Sequence, residues 1–373
     1  MTSTRQNIVQ STLHSIKPKI VLTGGGTAGH VSPNIALAPS LEAEGWEIVY
    51  IGSKNGIEQK LVSEARLPYY GISSGKLRRY FSWENFIDPF KVIKGIFDAY
   101  FAIAKIKPQV IFSKGGFVTV PVILASWLHR VPIIIHESDF SSGLANRLSI
   151  PFASKVCVTF PETAQKLAKY ATKVIHTGLP IRPEILDGEA SRGREFCGFT
   201  KDLPVLFVVG GSTGSAKINQ AVRATLDEIT TKYQVVHACG KGNLDESLNG
   251  HHHYRQFEYL GKELADVLAI ADLVVSRSGA NAVFEFLALR KPNLLIPLSK
   301  VSSRGDQILN AQSFQSRGYS AVLLEENLTS ASLLSAIADL DARRDEYVLN
   351  MQQSQDIDAI AQIVNIIARF KRH

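Results

Sequence analysis

The sequence is poor in cysteine: Cys157, Cys197 and Cys239 are the only three in 373 residues, and none stands at metal-ligand spacing from another. A sparse, odd set excludes a disulfide scaffold and suits a reducing compartment. No apolar run approaches the roughly 18 residues that span a bilayer. The first 17 residues lack an apolar core and a small-residue cleavage site, so no secretory signal is expected. No metal is expected either. His251-His252-His253 has no cysteine or acid pattern to complete a site, and Asp339-Leu340-Asp341 and Asp356-Ile357-Asp358 fall in helical pattern as surface acids. What remains is a balanced soluble composition, 45% hydrophobic and 20% charged, over a length that suits two domains.

Charge is unevenly placed. The net +7 divides into +9 over residues 1–184 and −2 over residues 185–373. A basic half beside a nearly neutral one implies a side that meets something anionic: nucleic acid, a phosphorylated ligand or a membrane surface.

Short β-branched runs alternate with longer amphipathic ones. Lys19–Thr23, Glu47–Ile51, Gln109–Phe112, Pro132–His136 and Lys155–Val158 read as strands, with helical stretches near 33–44, 57–65, 86–106, 117–129 and 141–149. Continuous apolar strands separated by helices predict parallel sheets in an α/β architecture. The pattern breaks over 179–203, read as a linker, and restarts at Pro204–Val209, Gln234–Ala238, Asp272–Val275 and Asn293–Ile296. Two α/β domains with a cleft between them are therefore expected.

Three glycine turns follow strands: Gly24-Gly25-Gly26-Thr27-Ala28-Gly29-His30, Ser113-Lys114-Gly115-Gly116-Phe117 and Gly210-Gly211-Ser212-Thr213-Gly214-Ser215. Glycine admits phosphate oxygens close to backbone N–H groups, and a helix N-terminus adds partial positive charge. Gly24, Gly26 and Gly29 match the dinucleotide fingerprint, but the second strand runs into Gly52-Ser53-Lys54 where a ribose-binding acid belongs. One such turn is often only a tight connection; three at strand ends favour a ligand. Ser276-Arg277-Ser278-Gly279 opens a helix carrying Glu285, either a solvated helix acid or an acceptor for a ribose diol. Arg304-Gly305-Asp306-Gln307 starts another helix, as a cap or a sugar contact. His136-Glu137-Ser138-Asp139 ends a strand, with acid/base chemistry and local backbone bonding both open to it.

In order, GGGTAGHVSPNIALAPSL at 24–41, KGGFV at 114–118, HESD at 136–139, GGSTGS at 210–215, SRSGANAVFE at 276–285 and DQILNA at 306–311 resemble the MurG family. Its members are UDP-N-acetylglucosamine-dependent glycosyltransferases acting on a lipid-linked muramyl-pentapeptide. The resemblance runs from about residue 19 to the C-terminus. It implies a GT-B fold of two Rossmann-like domains. The polar extension would be 1–18, the acceptor and membrane-facing domain 19–184 with a returning helix at about 352–373, and the donor domain 185–351. It implies inverting transfer of GlcNAc to the C4 hydroxyl of lipid I, with no cofactor. Ser212 would meet the diphosphate, and Ala280, Asn281, Ala282, Val283, Phe284 and Glu285 would surround uridine and ribose. Leu260 would pack near uracil, Gln307 would contact the sugar, and Arg182 would help hold the nucleotide. Thr27, Ala28, Gly29 and His30 would face the acceptor and the reacting carbon, with His30 as base or as orienting donor and Glu137 and Asp139 as competing bases. Ala28, Ser215 and Asp139 depart from the family's more frequent Gly, Ala and Asn.

Alternatives are a UDP-sugar glycolipid synthase acting on diacylglycerol, a nicotinamide-dependent dehydrogenase resting on Gly24–Gly29, and a nucleic-acid binder resting on the basic charge. The missing ribose acid opposes the second, and no nucleic-acid motif supports the third, so nucleic acid is not an expected partner. Residues 76–107 interleave seven cations with eight aromatics. Lys76, Arg78 and Arg79 are expected to rest on an anionic inner leaflet, which places the chain peripherally at the cytoplasmic face of the cell membrane. Cell-wall synthesis or division proteins are the partners this placement admits.

Overall fold

The computed structural model describes residues 17–75, 84–211, 213–300, 305–354 and 358–371. Residues 1–16, the segment with Lys76, Arg78 and Arg79, the predicted diphosphate contact Ser212, and Asp356-Ile357 lie outside the described residues.

The first parallel sheet contains β1 (Lys19–Thr23), β2 (Glu47–Ser53), β3 (Tyr69–Ile72), β4 (Val110–Ser113), β5 (Ile133–Glu137), β6 (Lys155–Val158) and β7 (Val174–His176). Its order is β3-β2-β1-β4-β5-β6-β7. The second contains β8 (Val205–Val209), β9 (Gln234–Ala238), β10 (Tyr254–Phe257), β11 (Leu273–Ser276), β12 (Asn293–Leu295) and β13 (Ala321–Val322), in the order β10-β9-β8-β11-β12-β13. Both sheets therefore reverse direction beside their first strand, between β1 and β4 and between β8 and β11. Ligands of open α/β sheets bind outside the carboxyl ends of strands at such points.

The expected central strands are present, because runs such as Ile20–Leu22 and Ile133–Ile135 are buried on both faces. The alternation missed β3, β7, β10 and β13, and these are the four edge strands. An edge strand needs fewer apolar residues, and Tyr-Tyr-Gly-Ile or Tyr-Arg-Gln-Phe carries too weak a signal. The expected linker at 179–203 is also corrected, since it contains the helix Ala190–Cys197. That helix is mostly polar and was hidden from a hydrophobic scan; it packs through Gly193, where a Cβ would lie 2.2 Å from the Asp266 carbonyl.

By compactness the chain divides within β5. One unit holds residues 1–135, 149–154 and 364–373, and the other holds 136–148 and 155–363. The second unit has apolar clusters on its sheet, one around Leu206, Phe284 and Phe314, the other around Phe207, Leu260 and Leu268.

A buried histidine makes this unit acid-sensitive. The Tyr254 hydroxyl donates to His237 Nδ1 (2.9 Å), and His237 Nε2 donates to Asn219 Oδ1 (3.1 Å). Burial, helped by the Arg223 guanidinium, pushes the imidazole pKa down to about 3. The unfolded chain binds a proton near pH 6.5 that the folded chain refuses, so stability is lost as pH falls below that value. The expected unfolding free energy is about 2 kcal/mol lower at pH 5 than at pH 7.5. Denaturant titrations at the two pH values check this, and His237→Gln should remove that share of the difference.

Candidate functional site

In the second unit, a cavity of about 360 Å³ opens at the carboxyl ends of β8 and β11. One wall is the turn Gly210, Gly211, Thr213 and Gly214, and another is Ser276, Arg277 and Gly279. Phe207, Leu264, Leu268, Phe286 and Leu298 give it apolar surface. Arg277 fastens the two turns. Its Nη1 donates to the Ile296 carbonyl (2.9 Å) and its Nη2 to Ser215 Oγ (2.7 Å). It also pairs with Glu325, whose other oxygen takes Lys217 at 3.0 Å. Burial pushes the Glu325 carboxyl up, but hydrogen bonds from Lys217 and Arg277 outweigh it and hold the pKa below the usual range. Ser215, one of the departures noted in the sequence, also caps the helix Ala216–Ala224 by accepting from Ile218 N–H.

The six residues Ala280–Glu285 do not act as a block. They open the helix Ala280–Leu289, and helical spacing sends Ala282, Glu285 and Phe286 to the cavity. Ala280, Val283 and Phe284 go to the core, and Asn281 is not on the cavity wall. Glu285 is the charged group of this face, with its side chain 13% exposed. Arg182 Nε (3.2 Å) and Nη2 (2.9 Å) both donate to Oε1, while Oε2 accepts no hydrogen bond among the described residues. Burial raises the Glu285 pKa above the ordinary carboxylate value, with Arg182 opposing the shift.

Gln307 starts the helix Asp306–Ser316 and reaches the same cavity. Its Oε1 accepts from Leu298 N–H (3.0 Å), which turns its amide NH2 outward as a donor. Leu260 is buried in the apolar cluster behind the cavity rather than on its wall. Leu264 and Leu268, which do line the wall, were not singled out by sequence; the helix Leu264–Ile270 alone would have pointed to them.

Residues 136–148 also belong to the second unit. Glu137 is buried and accepts from Asp139 N–H (3.1 Å), Gly143 N–H (3.1 Å) and Asn146 Nδ2 (2.8 Å), so its carboxylate shapes its own loop. Asn310, which the sequence reading passed over inside DQILNA, joins this loop to the cavity rim. Its Oδ1 accepts from Phe140 N–H (3.2 Å), and its Nδ2 donates to the Ser278 carbonyl (3.1 Å) and lies 3.5 Å from Asp139 Oδ1.

In the first unit, a larger cavity of about 1000 Å³ is lined by Gly25, Gly26, Thr27 and His30, by Ser53–Glu58, by Ile72–Gly75 and by Lys91, Lys94 and Gly116–Val118. Gly116 has φ +94°, and a Cβ there would meet the Gly25 carbonyl oxygen at 2.2 Å, so the two glycine turns are in backbone contact. Ala28–His30 form a single 3-10 turn. His30 Nδ1 lies 3.1 Å from the Gly25 carbonyl and 3.2 Å from Thr27 Oγ1. A carbonyl only accepts, so Nδ1 carries the proton and Nε2 is the basic nitrogen. Glu58, unflagged by sequence, is buried here and accepts from Gly26 N–H (3.3 Å) and Ser53 N–H (3.0 Å). Gly25 N–H donates to the Gly115 carbonyl (3.2 Å). Two amides that a dinucleotide phosphate would need are thus already engaged.

Two family models cover most of the chain: the N-terminal domain of glycosyltransferase family 28 over residues 20–158 and its C-terminal domain over residues 205–367. The chain belongs to glycosyltransferase family 28. A Geobacillus thermodenitrificans relative is 54% identical over 358 residues, covering 96% of this chain and all of that one. A Clostridium perfringens relative is 54% identical over 353 residues, covering 95% and 98%. Both are named UDP-N-acetylglucosamine--N-acetylmuramyl-(pentapeptide) pyrophosphoryl-undecaprenol N-acetylglucosamine transferase. Among solved structures, Acinetobacter baumannii MurG superposes with a TM-score of 0.74 at 22% identity, covering 94% of this chain and 99% of that one. This family-28 chain has the GT-B pair of Rossmann-like parallel-sheet domains. The dinucleotide reading of Gly24–Gly29 falls with the engaged amides and the family match together.

Proposed function

We propose that this chain transfers N-acetylglucosamine, with inversion, from UDP-N-acetylglucosamine to the C4 hydroxyl of lipid I, the muramyl-pentapeptide on undecaprenyl diphosphate. The products are lipid II and UDP. One observation carries the reading: a glycine turn and a half-buried carboxylate with an open oxygen share one small, apolar-walled cavity. The turn suits a diphosphate, Oε2 of Glu285 suits the ribose diol, and Phe207, Leu264 and Leu268 suit a planar base. Gln307 offers its NH2 to the sugar, Arg182 sets Glu285, and Ser212 completes the diphosphate contact on the strength of its motif. The first-unit cavity, with Lys54, Lys91 and Lys94 on its wall, takes the anionic acceptor, and His30 Nε2 accepts the proton of the attacking hydroxyl. In domain terms, residues 19–184 with the last helix serve the acceptor and 185–351 the donor. Radiolabelled GlcNAc transfer to a lipid I analogue, with the product identified by mass spectrometry, tests this; no labelled disaccharide lipid under saturating donor would refute it.

The acceptor's lipid requires a membrane surface. No described helix is long and apolar enough to cross a membrane. Instead, the helix Glu84–Ile106 exposes Phe90, Ile93, Phe97 and Phe101 along one stripe, with Lys91, Lys94 and Lys105 beside it. This suits peripheral attachment to the anionic cytoplasmic face, where apolar insertion and cation attraction add. Phe97→Ser with Phe101→Ser should weaken binding to phosphatidylglycerol vesicles by roughly tenfold or more. Unchanged sedimentation of the double variant would remove the stripe from the membrane contact.

A further inference from the structure

The glycine turn of the second-unit cavity rests on a carbonyl that is fixed from behind. Gly214 has φ +76°, and a Cβ there would fall 1.9 Å from the Cys239 carbonyl oxygen. A Cβ on Gly240 would meet the Thr213 carbonyl oxygen at 2.4 Å. Thr213–Gly214 and Cys239–Gly240 therefore pack backbone on backbone, and a shift in one pair displaces the other.

Behind Cys239 runs a buried chain of polar groups. The Cys239 carbonyl accepts from Asn219 Nδ2 (2.9 Å), Asn219 Oδ1 accepts from His237 Nε2 (3.1 Å), and His237 Nδ1 accepts from the Tyr254 hydroxyl (2.9 Å). Each bond has one allowed direction. The carbonyl only accepts, so the asparagine must present Nδ2 to it and Oδ1 to the histidine. That oxygen needs a donor, which forces the proton onto Nε2 and makes Nδ1 the acceptor for tyrosine. Arg223, from the same helix as Asn219, holds the far end of the second turn by donating to the Asn243 carbonyl. Apart from His237, strand β9 packs Val235, Val236 and Ala238 into the core, so an aliphatic residue at 237 would fill the space without making these bonds.

We propose that His237 is a positioning residue for the donor: through Asn219 it sets the Cys239 carbonyl, and with it Thr213 and Gly214 of the glycine turn, at the spacing a nucleoside diphosphate requires. The inference rests on the donor reading of this cavity. Phosphate capture by backbone N–H groups depends on their mutual placement, and a fully satisfied polar chain holds that placement more tightly than apolar packing does.

The test compares His237→Leu with His237→Gln in the full chain. Leucine keeps the volume and cannot donate; the glutamine Nε2 presents an N–H where the imidazole had one. In the leucine variant, the Kd for UDP by calorimetry and the donor KM should each rise about tenfold, the equivalent of one net hydrogen bond. On that same scale, kcat and acceptor KM should stay within about twofold, and the glutamine variant should bind UDP within about threefold of the unaltered chain. Equal losses in both variants, or an unchanged UDP Kd in the leucine variant, would overturn the proposal. If the leucine variant does not fold, Tyr254→Phe reads the same chain from its far end. It should weaken UDP binding by roughly three- to fivefold, and no change there is likewise fatal. Failure of the unaltered chain to bind UDP would instead remove the donor reading itself, and this inference with it.

Discussion

Replacing His30 with alanine is expected to lower kcat by roughly 10²–10⁴-fold while leaving donor KM nearly unchanged. The attacking hydroxyl must lose its proton as positive charge develops at the transferring carbon. His30 has its Nδ1 proton committed to the Gly25 carbonyl, which fixes the ring and makes Nε2 the basic nitrogen, the atom proposed to take that proton. Donor binding is proposed for residues of the other unit, so the split between kcat and donor KM separates a chemical role from a folding defect. His30→Asn sharpens the test: its amide N–H keeps the bond to Gly25 but supplies no base, and its turnover should fall as far as that of the alanine variant. Near-normal turnover in either would pass the role to Glu137 or Asp139. Glu137 is the weaker candidate, because three donors already occupy its carboxylate oxygens.

What the sequence made legible follows burial. Central strands and the glycine turns were visible because they are locally extreme: continuous apolar runs and residues with no side chain. The edge strands β3, β7, β10 and β13 and the polar helix Ala190–Cys197 were not, because each is defined by what it packs on rather than by its own pattern. At the site the same division holds. Glu285, Gln307 and the turn at 210–214 could be named from motif and position. Helical phase had to be seen before Ala282, Glu285 and Phe286 could be separated from Ala280, Val283 and Phe284. Glu58, Asn310 and the Tyr254–His237–Asn219 chain stayed hidden, since each makes a bond across 17 to 171 positions that no local spacing relates. Their signal was only that they are polar residues in otherwise apolar or glycine-rich surroundings.

Glu285 should show function and stability pulling in opposite directions. On the proposed donor reading its open Oε2 accepts from the ribose, and losing charge-assisted bonding of about 2–3 kcal/mol should raise the donor KM of Glu285→Ala by roughly 30–150-fold. Glu285→Gln keeps an acceptor oxygen without the charge, and its donor KM should rise by roughly tenfold. The stability effect has the other sign. Burial raises the folded pKa of this carboxyl above its unfolded value, so ionisation costs the folded state. That cost is absent below the unfolded pKa and grows as pH rises from there towards the folded one, so it is present at neutral pH. Removing the charge by Glu285→Gln should therefore leave the melting temperature at pH 7.5 equal to or above that of the unaltered chain. Arg182, more than a third exposed, recovers water when its partner is neutral and subtracts little. Calorimetric UDP titration and thermal melts on the same samples read both quantities. A variant that binds UDP normally would take Glu285 out of the donor site, and one that both binds poorly and melts well below the unaltered chain would make it a structural residue instead.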